Sequence, residues 1–166
     1  MGEAQFRAKD YPSVEKTVAD FRQRFPASPL LYHADEVLGR SYMKQAKFAD
    51  ARNSFAKVIN SESGQRTKTA AKAQFHIAET YLIEKDYAAA LTEYYKVYVN
   101  YQFPEWQAPA LYQAGQCDES LGNKKAAATT YQTLIKDFGG TEFAKNAQER
   151  LAEIDKPGQS GNGDAK

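Results

Sequence analysis

The sequence predicts an all-α fold of stacked antiparallel helix pairs, and three observations support it. Bulky side chains recur at spacings of +3, +4 and +3 in four segments, which is the stripe of a helix with 3.6 residues per turn. The four segments begin at Tyr11, Phe48, Tyr87 and Lys124, and so lie 37, 39 and 37 residues apart. Small residues precede three of the segments at matched positions. Such regular self-similarity indicates an internal structural repeat.

The four bulky stripes predict the second helix of each pair. They consist of Tyr11, Val14, Val18, Phe21 and Phe25; Phe48, Ala51, Phe55 and Val58; Tyr87, Ala90, Tyr94, Val97 and Tyr101; and Lys124, Ala127, Tyr131, Leu134 and Phe138. Asp10, Asp86 and Asn123 precede three of these helices and are suited to N-cap positions, because their side-chain oxygens can accept from free backbone amides. Lys47, at the remaining start, is not.

Small residues mark the first helix of each pair. The matched sets are Ala34, Gly39 and Ser41; Ala73, Ala78 and Thr80; and Ala110, Gly115 and Cys117. Small side chains let two helices approach closely, while a large neighbour fills the adjoining space. Cys117 is therefore predicted to be a packing residue. We also expect Ser28 to cap a helix that has Pro29 as its first residue.

Together these signals predict helices at roughly 3–8, 11–25, 29–45, 48–60, 66–84, 87–102, 105–121, 124–138 and 141–154. The predicted repeats are about 3–26, 29–63, 66–102 and 105–138. Thr141 follows Gly139 and Gly140 and caps a last helix with Phe143, Ala147, Leu151 and Ile154 on one side. An exposed end repeat needs such a capping helix. Residues 157–166 are Gly-rich and polar, and predict a flexible tail.

Composition excludes several classes of function. The 166 residues carry 22 basic and 21 acidic side chains, a net charge of +1, whereas a general nucleic-acid binder needs an excess of basic charge. The chain has one cysteine and therefore no internal disulfide. It has no apolar run of about 18 residues, so no direct membrane insertion is predicted. The first residues lack the layout of a signal peptide.

The helix pairs resemble those of the tetratricopeptide repeat family. That family has Leu-Gly-x-x-Tyr in the first helix and an aromatic residue, an alanine and a Phe-like residue in the second. The order is matched by Leu38, Gly39, Tyr42, Phe48, Ala51 and Phe55, and again by Ile77, Ala78, Tyr81, Tyr87, Ala90 and Tyr94. The fourth unit departs at Asp118 and Lys124. The resemblance implies a right-handed superhelix (an α-solenoid) whose concave groove, lined by the first helices, holds a peptide or a partner protein.

The resemblance also implies which side chains face that groove, namely those two, five and nine positions into each first helix. These are His33, Glu36 and Arg40; Lys72, Phe75 and Glu79; and Pro109, Tyr112 and Gln116. An aromatic ring in the groove exposes apolar area unless a partner covers it. Phe75 and Tyr112 are therefore candidate ligand contacts, and the alternative is that either ring packs into a neighbouring helix.

No motif for catalysis or cofactor binding occurs in the chain, and we predict neither an enzyme nor a cofactor. Neither His33 nor His76 has a second metal ligand three or four residues away together with a carboxylate in a Glu-x-x-His arrangement, so no metal site is predicted. Charge is uneven: residues 1–60 hold 10 basic and 7 acidic side chains, and residues 81–166 hold 9 and 12. This is either scatter on a solvated surface or a means of orienting a dipolar partner.

Two hypotheses for function remain. The first is a non-enzymatic scaffold that binds a peptide or protein. The alternative is a structural spacer or self-assembly module of a larger protein, with no separate ligand. The long joints between units resemble repeats of bacterial envelope proteins, such as the outer-membrane-protein assembly lipoprotein and the Tol-Pal-associated cell-division coordinator. That likeness implies a periplasmic location, with the cytoplasm as the alternative. Because the first unit is short before Tyr11, we expect further repeats upstream of residue 3.

Overall fold

The structure, a computed structural model, describes residues 1–156, and all of its regular secondary structure in that range is helical. The helices are α1 (Gly2–Arg7), α2 (Tyr11–Arg24), α3 (Leu31–Lys44), α4 (Phe48–Asn60), α5 (Lys68–Ile83), α6 (Tyr87–Asn100), α7 (Pro104–Ser120), α8 (Lys124–Phe138) and α9 (Glu142–Ile154). The predicted all-α fold class is confirmed. The predicted flexible tail, residues 157–166, lies outside the described residues.

The helices form two layers. Each odd-numbered helix packs against the even-numbered helix that follows it, and each pair packs against the next pair. In addition, α1 contacts α3, α3 contacts α5, α5 contacts α7, and α7 contacts α9, whereas the backbones of the even-numbered helices lie further apart. Because the odd-numbered helices are the closer set, the array curves with those helices on its inner face.

A left-handed residue closes the turn within each helix pair. The φ values of Lys9, Ala46, Lys85 and Gly122 are 60°, 57°, 61° and 78°, and each of these residues directly precedes the residue at the N-cap position of the second helix. This conformation costs a non-glycine residue about 1 kcal/mol or more, so only Gly122 adopts it without strain. Four equivalent turns show that the repeat extends to the backbone itself.

Most of the predicted helix starts are confirmed. The side chains of Asp10, Asp86 and Thr141 each accept a backbone N–H from three residues further on, at 3.3, 3.1 and 3.2 Å. Lys47 makes no capping bond, as expected. Asn123 is the N-cap residue of α8, as predicted, but the expected capping bond from its side chain is not formed.

The predicted start of α3 is also wrong. The helix begins at Leu31, and its N-cap residue Leu30 has no side-chain cap. Ser28 Oγ accepts instead from the backbone N–H of Leu30 at 3.2 Å. A serine that bonds two residues ahead stabilises a local turn, which competes with helix capping. Pro29 therefore belongs to the turn.

Close packing within each pair depends on a small residue that faces an aromatic ring. Phe55, Tyr94 and Tyr131 occupy equivalent positions on α4, α6 and α8 and are 0% exposed. A Cβ atom added to Gly39 would lie 2.5–2.8 Å from ring carbons of Phe55, and one added to Gly115 would lie 2.6 Å from Cζ of Tyr131. Such distances are far below van der Waals contact, so glycine sets the spacing of these helices.

The two ends of the array differ. At the C-terminal end, α9 buries Ala147 and packs Phe143, Leu151 and Ile154 against the last core cluster, which confirms the predicted capping helix. At the N-terminal end, Phe25 is 55% exposed. The last residue of the first stripe therefore does not reach the core.

Candidate functional site

The inner face of the array holds an open hollow of about 560 Å³ between α3 and α5. Helix α1 closes one side, and no even-numbered helix contributes to the lining. We call this feature the α3–α5 hollow. It is lined by Phe6 of α1; Arg40, Met43 and Lys44 of α3; and Lys72, His76, Glu79, Leu82 and Ile83 of α5.

A chain of ion pairs supports one wall of the hollow. The carboxylate of Glu36 is buried beneath it, 6% exposed. Lys72 Nζ lies 2.7 Å from Glu36 Oε1, and Arg40 Nε lies 2.8 Å from the same oxygen. Arg40 Nη2 also donates to Glu36 Oε2 at 3.1 Å and to Glu3 Oε2 at 2.5 Å. These contacts, which we call the charge ladder, connect α1, α3 and α5.

The charge ladder favours the ionised forms of Arg40 and Glu3. Burial acts to lower the pKa of Arg40, but the charge of Glu36 and the hydrogen bonds that Arg40 donates to Glu3 and Glu36 outweigh burial and raise it. Burial acts to raise the pKa of Glu3, and hydrogen bonds and charges from Arg40 and Arg7 outweigh that and lower it. The guanidinium of Arg40 also lies over the ring of Phe6, 4.4 Å from its centroid, a cation–π contact that holds it in place.

His76 and Glu79 form the polar floor of the hollow. His76 Nδ1 and Glu79 Oε2 are 2.5 Å apart. The imidazole packs against Phe55, with ring centroids 5.4 Å apart, and against Trp106 at 6.2 Å. Its Nε2 atom is buried and has no hydrogen-bond partner within residues 1–156. His76 therefore combines a packed ring with a free polar atom beside an open cavity.

The hollow contains three of the nine side chains predicted to face a groove: Arg40, Lys72 and Glu79. Glu36 lies directly behind them. His33 is exposed and lines a different, smaller hollow of about 270 Å³ between α1, α2 and α3. The structure thus assembles the predicted residues of α3 and α5 into one surface, except for His33 and Phe75.

The expectation that Phe75 faces the groove is corrected. Its side chain is 8% exposed, and its ring packs against Tyr94 and Trp106 with centroids 5.2 and 5.4 Å apart. The alternative stated for this ring, that it packs into neighbouring helices, describes its position. The residue of this turn that lines the hollow is His76.

The predicted residues of α7 lie away from the hollow. Tyr112 is half-buried, and its ring packs near Tyr131 and Phe143, at centroid distances of 6.0 and 6.1 Å. It therefore contacts the capping helix. Pro109 and Gln116 are also half-buried, and neither lines the α3–α5 hollow.

The sequence analysis did not include the lining residues one turn further along α3 and α5, on the same helix faces as the predicted ones. Met43 and Lys44 lie three and four positions after Arg40, and Leu82 and Ile83 lie three and four positions after Glu79. Residues at these spacings are neighbours on a helix surface. Extending each predicted set by one turn would have found them.

Apolar and cationic side chains share the rim of the hollow. Ile83 is 56% exposed, and the half-buried side chains of Met43 and Leu82 line the same hollow. Lys44 is exposed and has no ion-pair partner in the described part of the chain. Such a surface can hold an apolar side chain and a negative charge together.

Three features of the described residues bear on metal binding, membrane insertion and cysteine reactivity. Residues 1–156 contain no cluster of three or more potential metal ligands among His, Cys, Asp and Glu. Within the same range, no helix is long and apolar enough to cross a membrane. Cys117 is 0% exposed, and burial raises the pKa of its thiol to about 11. That environment suits a packing residue, since a reactive cysteine needs access and a low pKa.

The stacked helix pairs and their lined inner face define a helical repeat protein. Residues 37–105 and 109–141, together more than half of the chain, match tetratricopeptide repeat models. The chain belongs to the tetratricopeptide repeat family. No curated protein sequence matches it significantly.

Solved structures share the fold at low sequence identity. A tetratricopeptide repeat protein from Parabacteroides merdae ATCC 43184 is 20% identical, with a TM-score of 0.74 over 92% of this chain. A Podosopora anserina putative kinesin light chain with nearly identical TPR-like repeats is 13% identical, with a TM-score of 0.71 over 92% of this chain and 82% of its own. MamA is 18% identical, with a TM-score of 0.62 over 93% and 87%. The present chain spans 57% of the Parabacteroides merdae protein.

The family assignment indicates a general function. Tetratricopeptide repeats indicate a scaffold for protein–protein interaction, and proteins built from them are generally not enzymes. The repeats therefore imply a protein partner.

Proposed function

We propose that this chain is a non-enzymatic scaffold that binds a peptide or a segment of a partner protein in the α3–α5 hollow. The observation that carries the proposal is the exposed Ile83 beside Met43 and Leu82 on an open inner face. Apolar area in water is unfavourable by about 25 cal/mol per Å². A partner that covers this area gains that free energy, and contiguous apolar patches are typical of binding surfaces.

The shape of the site favours a narrow ligand. The hollow is lined by residues of α1, α3 and α5, and its apolar strip of Met43, Leu82 and Ile83 shares the lining with charged side chains. A single helix or an extended segment can follow such a strip, as in other helix-in-groove complexes. The net charge of +1 supports a protein partner rather than a nucleic acid.

A peptide selection tests the proposal. Peptides selected from a random display library are measured by fluorescence anisotropy against the chain and against Ile83→Asp. We expect Ile83→Asp to weaken binding at least tenfold, because a carboxylate replaces the exposed apolar contact. Val99→Asp is the matched control, since Val99 is 72% exposed on α6 and does not line the hollow. Both variants should keep the helicity of the parent chain.

Two results would contradict the proposal. If Val99→Asp weakened binding as much as Ile83→Asp, the peptide would bind elsewhere. If no peptide were selected and light scattering showed a mass that rises with concentration, the spacer or self-assembly alternative would be supported. Phe75 is not a suitable position for this test, because its substitution would perturb the core.

A place in bacterial envelope assembly is the finer part of the proposal. It is supported by the repeat period of 37–39 residues and by the long joints between pairs, such as residues 61–67 between α4 and α5. Fractionation of the source cells with an antibody against the chain tests it. Recovery with the periplasm or membranes is expected, and recovery with the cytosol would overturn this part alone.

A further inference from the structure

The smaller hollow, at the N-terminal end of the array, is a second open cavity. It lies between α1, α2 and α3 and measures about 270 Å³, and we call it the N-terminal hollow. Val18 and Phe21 of α2, and Leu30, Ala34 and Val37 at the start of α3, give it an apolar lining. An apolar cavity of about 150 Å³ is enough to hold a benzene molecule, so this one has room for an aromatic side chain.

The third helix pair, α5 and α6, shows what fills the corresponding place within the array. Phe75 lies there, twelve residues before the first residue of α6. Its ring packs against Tyr94 of α6 and Trp106 of α7, with centroids 5.2 and 5.4 Å apart. The second pair has Glu36 there instead, which the charge ladder holds. In the fourth pair, the three places of the ring and its two walls are taken by Tyr112, Tyr131 and Phe143.

The walls of the N-terminal hollow correspond to the two walls of the ring site in the third pair. Val18 lies seven residues after the first residue of α2, as Tyr94 does in α6. Leu30 lies eighteen residues before the first residue of α4, as Trp106 does before that of α8. The place between Val18 and Leu30 is not filled by α1, because this helix begins only nine residues before α2. Leu30 is accordingly 57% exposed.

We propose that the N-terminal hollow binds an aromatic side chain carried by a helix of a partner protein. The bound ring lies between Val18 and Leu30, and its helix extends the inner layer beyond α1. The hollow thereby continues an interface that the array itself forms twice, in its third and fourth helix pairs. The two hollows share no lining residue, so binding here goes beyond the proposed function and does not depend on it.

A second copy of the chain fits the hollow less well than a partner helix does. Phe25 is the only exposed aromatic residue among residues 1–156, and it lies at the C-cap of α2 rather than within a helix. At the opposite end of the array, the exposed side chains of α9 include Lys145, Gln148 and Glu149, and none of them is aromatic. The helix that carries the ring therefore belongs to another protein.

Two peptides test the inference. One has the sequence of residues 66–81, which carries the phenylalanine of the third pair, and the other has alanine in its place. Their binding is measured by fluorescence anisotropy against the parent chain, Leu30→Asp and Val99→Asp, and NMR shift changes in the parent chain locate the contact. Leu30→Asp puts a carboxylate in the wall of the hollow, and α3 should stay folded because aspartate suits the N-cap position that Leu30 occupies. Val99→Asp is the matched control, since Val99 is exposed on α6 and does not line the hollow.

We expect the parent chain to bind the phenylalanine peptide at least about tenfold more tightly than the alanine peptide, because the ring becomes buried. Leu30→Asp should abolish most of this preference, Val99→Asp should retain it, and the NMR shift changes should centre on residues of the hollow such as Ala34 and Val37. Equal binding of the two peptides, no binding of either, or shift changes elsewhere would overturn the inference. So would a mass of the parent chain that rises with concentration in light scattering but not in Leu30→Asp, because a second copy would then occupy the hollow. Ile83→Asp should not affect this binding, so a failure here leaves the proposed function intact.

Discussion

Gly39 offers the sharpest test of how the helix pairs pack. A methyl group at this position would lie 2.5–2.8 Å from three ring carbons of Phe55, which is 0% exposed and cannot move aside freely. Overpacking of a filled core costs about 1–3 kcal/mol. In an exposed helix the same change would instead stabilise by about 1 kcal/mol, because alanine is the better helix former. We therefore expect Gly39→Ala to lower the free energy of unfolding.

The reasoning is tested by the sign of the effect in two backgrounds. Phe55→Ala alone should cost about 3–5 kcal/mol, which for a chain of this size lowers the midpoint of thermal unfolding by roughly 6–20 °C. Once the ring is gone, the methyl group at position 39 has space. Gly39→Ala should then become neutral or stabilising, and the coupling between the two changes should be about 1–3 kcal/mol.

The assay is urea unfolding followed by far-UV circular dichroism, after each variant has been checked for native helicity. Val99→Ala serves as the control, since Val99 is 72% exposed and its substitution should change stability by less than about 0.5 kcal/mol. If Gly39→Ala were equally destabilising with and without Phe55, the ring would not be the cause, and the packing scheme would be refuted.

Three further predictions concern polar groups. Tyr94→Phe should stabilise the folded chain by about 1 kcal/mol in thermal unfolding, because the buried Tyr94 hydroxyl has no hydrogen-bond partner in the range 1–156. Tyr131→Phe should destabilise it, because the Tyr131 hydroxyl donates to Glu119 at 2.6 Å. Equal effects of the two substitutions would refute this reasoning. Burial acts to raise the pKa of Glu119, but hydrogen bonds from Arg150 and Tyr131 outweigh it and lower the pKa below the usual 4.5. The stability that Glu119 contributes is therefore complete above pH 4.5 and is lost as the pH falls through its lowered pKa. In a pH series of melting temperatures, the melting temperature of Glu119→Gln should fall less on acidification than that of the parent chain. Glu36→Ala should cost about 3 kcal/mol in urea unfolding, because it leaves two cations without the buried carboxylate they share, and an unchanged midpoint would exclude the charge ladder as a source of stability.

The sequence predicted the fold well because the signals that define it are local. The +3, +4 stripe, the small residues Gly39 and Gly115, and the caps Asp10 and Asp86 each act within one or two helical turns. The helix start predicted at Ser28 and the capping bond expected from Asn123 failed where a polar side chain has more than one nearby bonding partner. Propensity alone does not choose between them.

The candidate site was less predictable because it depends on contacts between repeats. Lys72 and Phe75 lie three residues apart on one helix. The Phe75 ring is buried against Tyr94 of α6 and Trp106 of α7, whereas His76 lines the hollow. The ion pairs of Glu36 similarly connect Lys72 of α5 with Arg40 and Glu36 of α3, which precede Lys72 by 32 and 36 positions. No pattern within a single helix carries that information.

The charge ladder has a consequence for how a ligand would be received. Because the ion pairs of Glu3, Arg40, Glu36 and Lys72 span three successive inner helices, they set the width of the hollow in the free protein. The binding site is then preorganised, and most of the conformational entropy lost on binding is that of the ligand. Association should accordingly resemble rigid-body docking, with the loss of conformational freedom confined to the incoming segment.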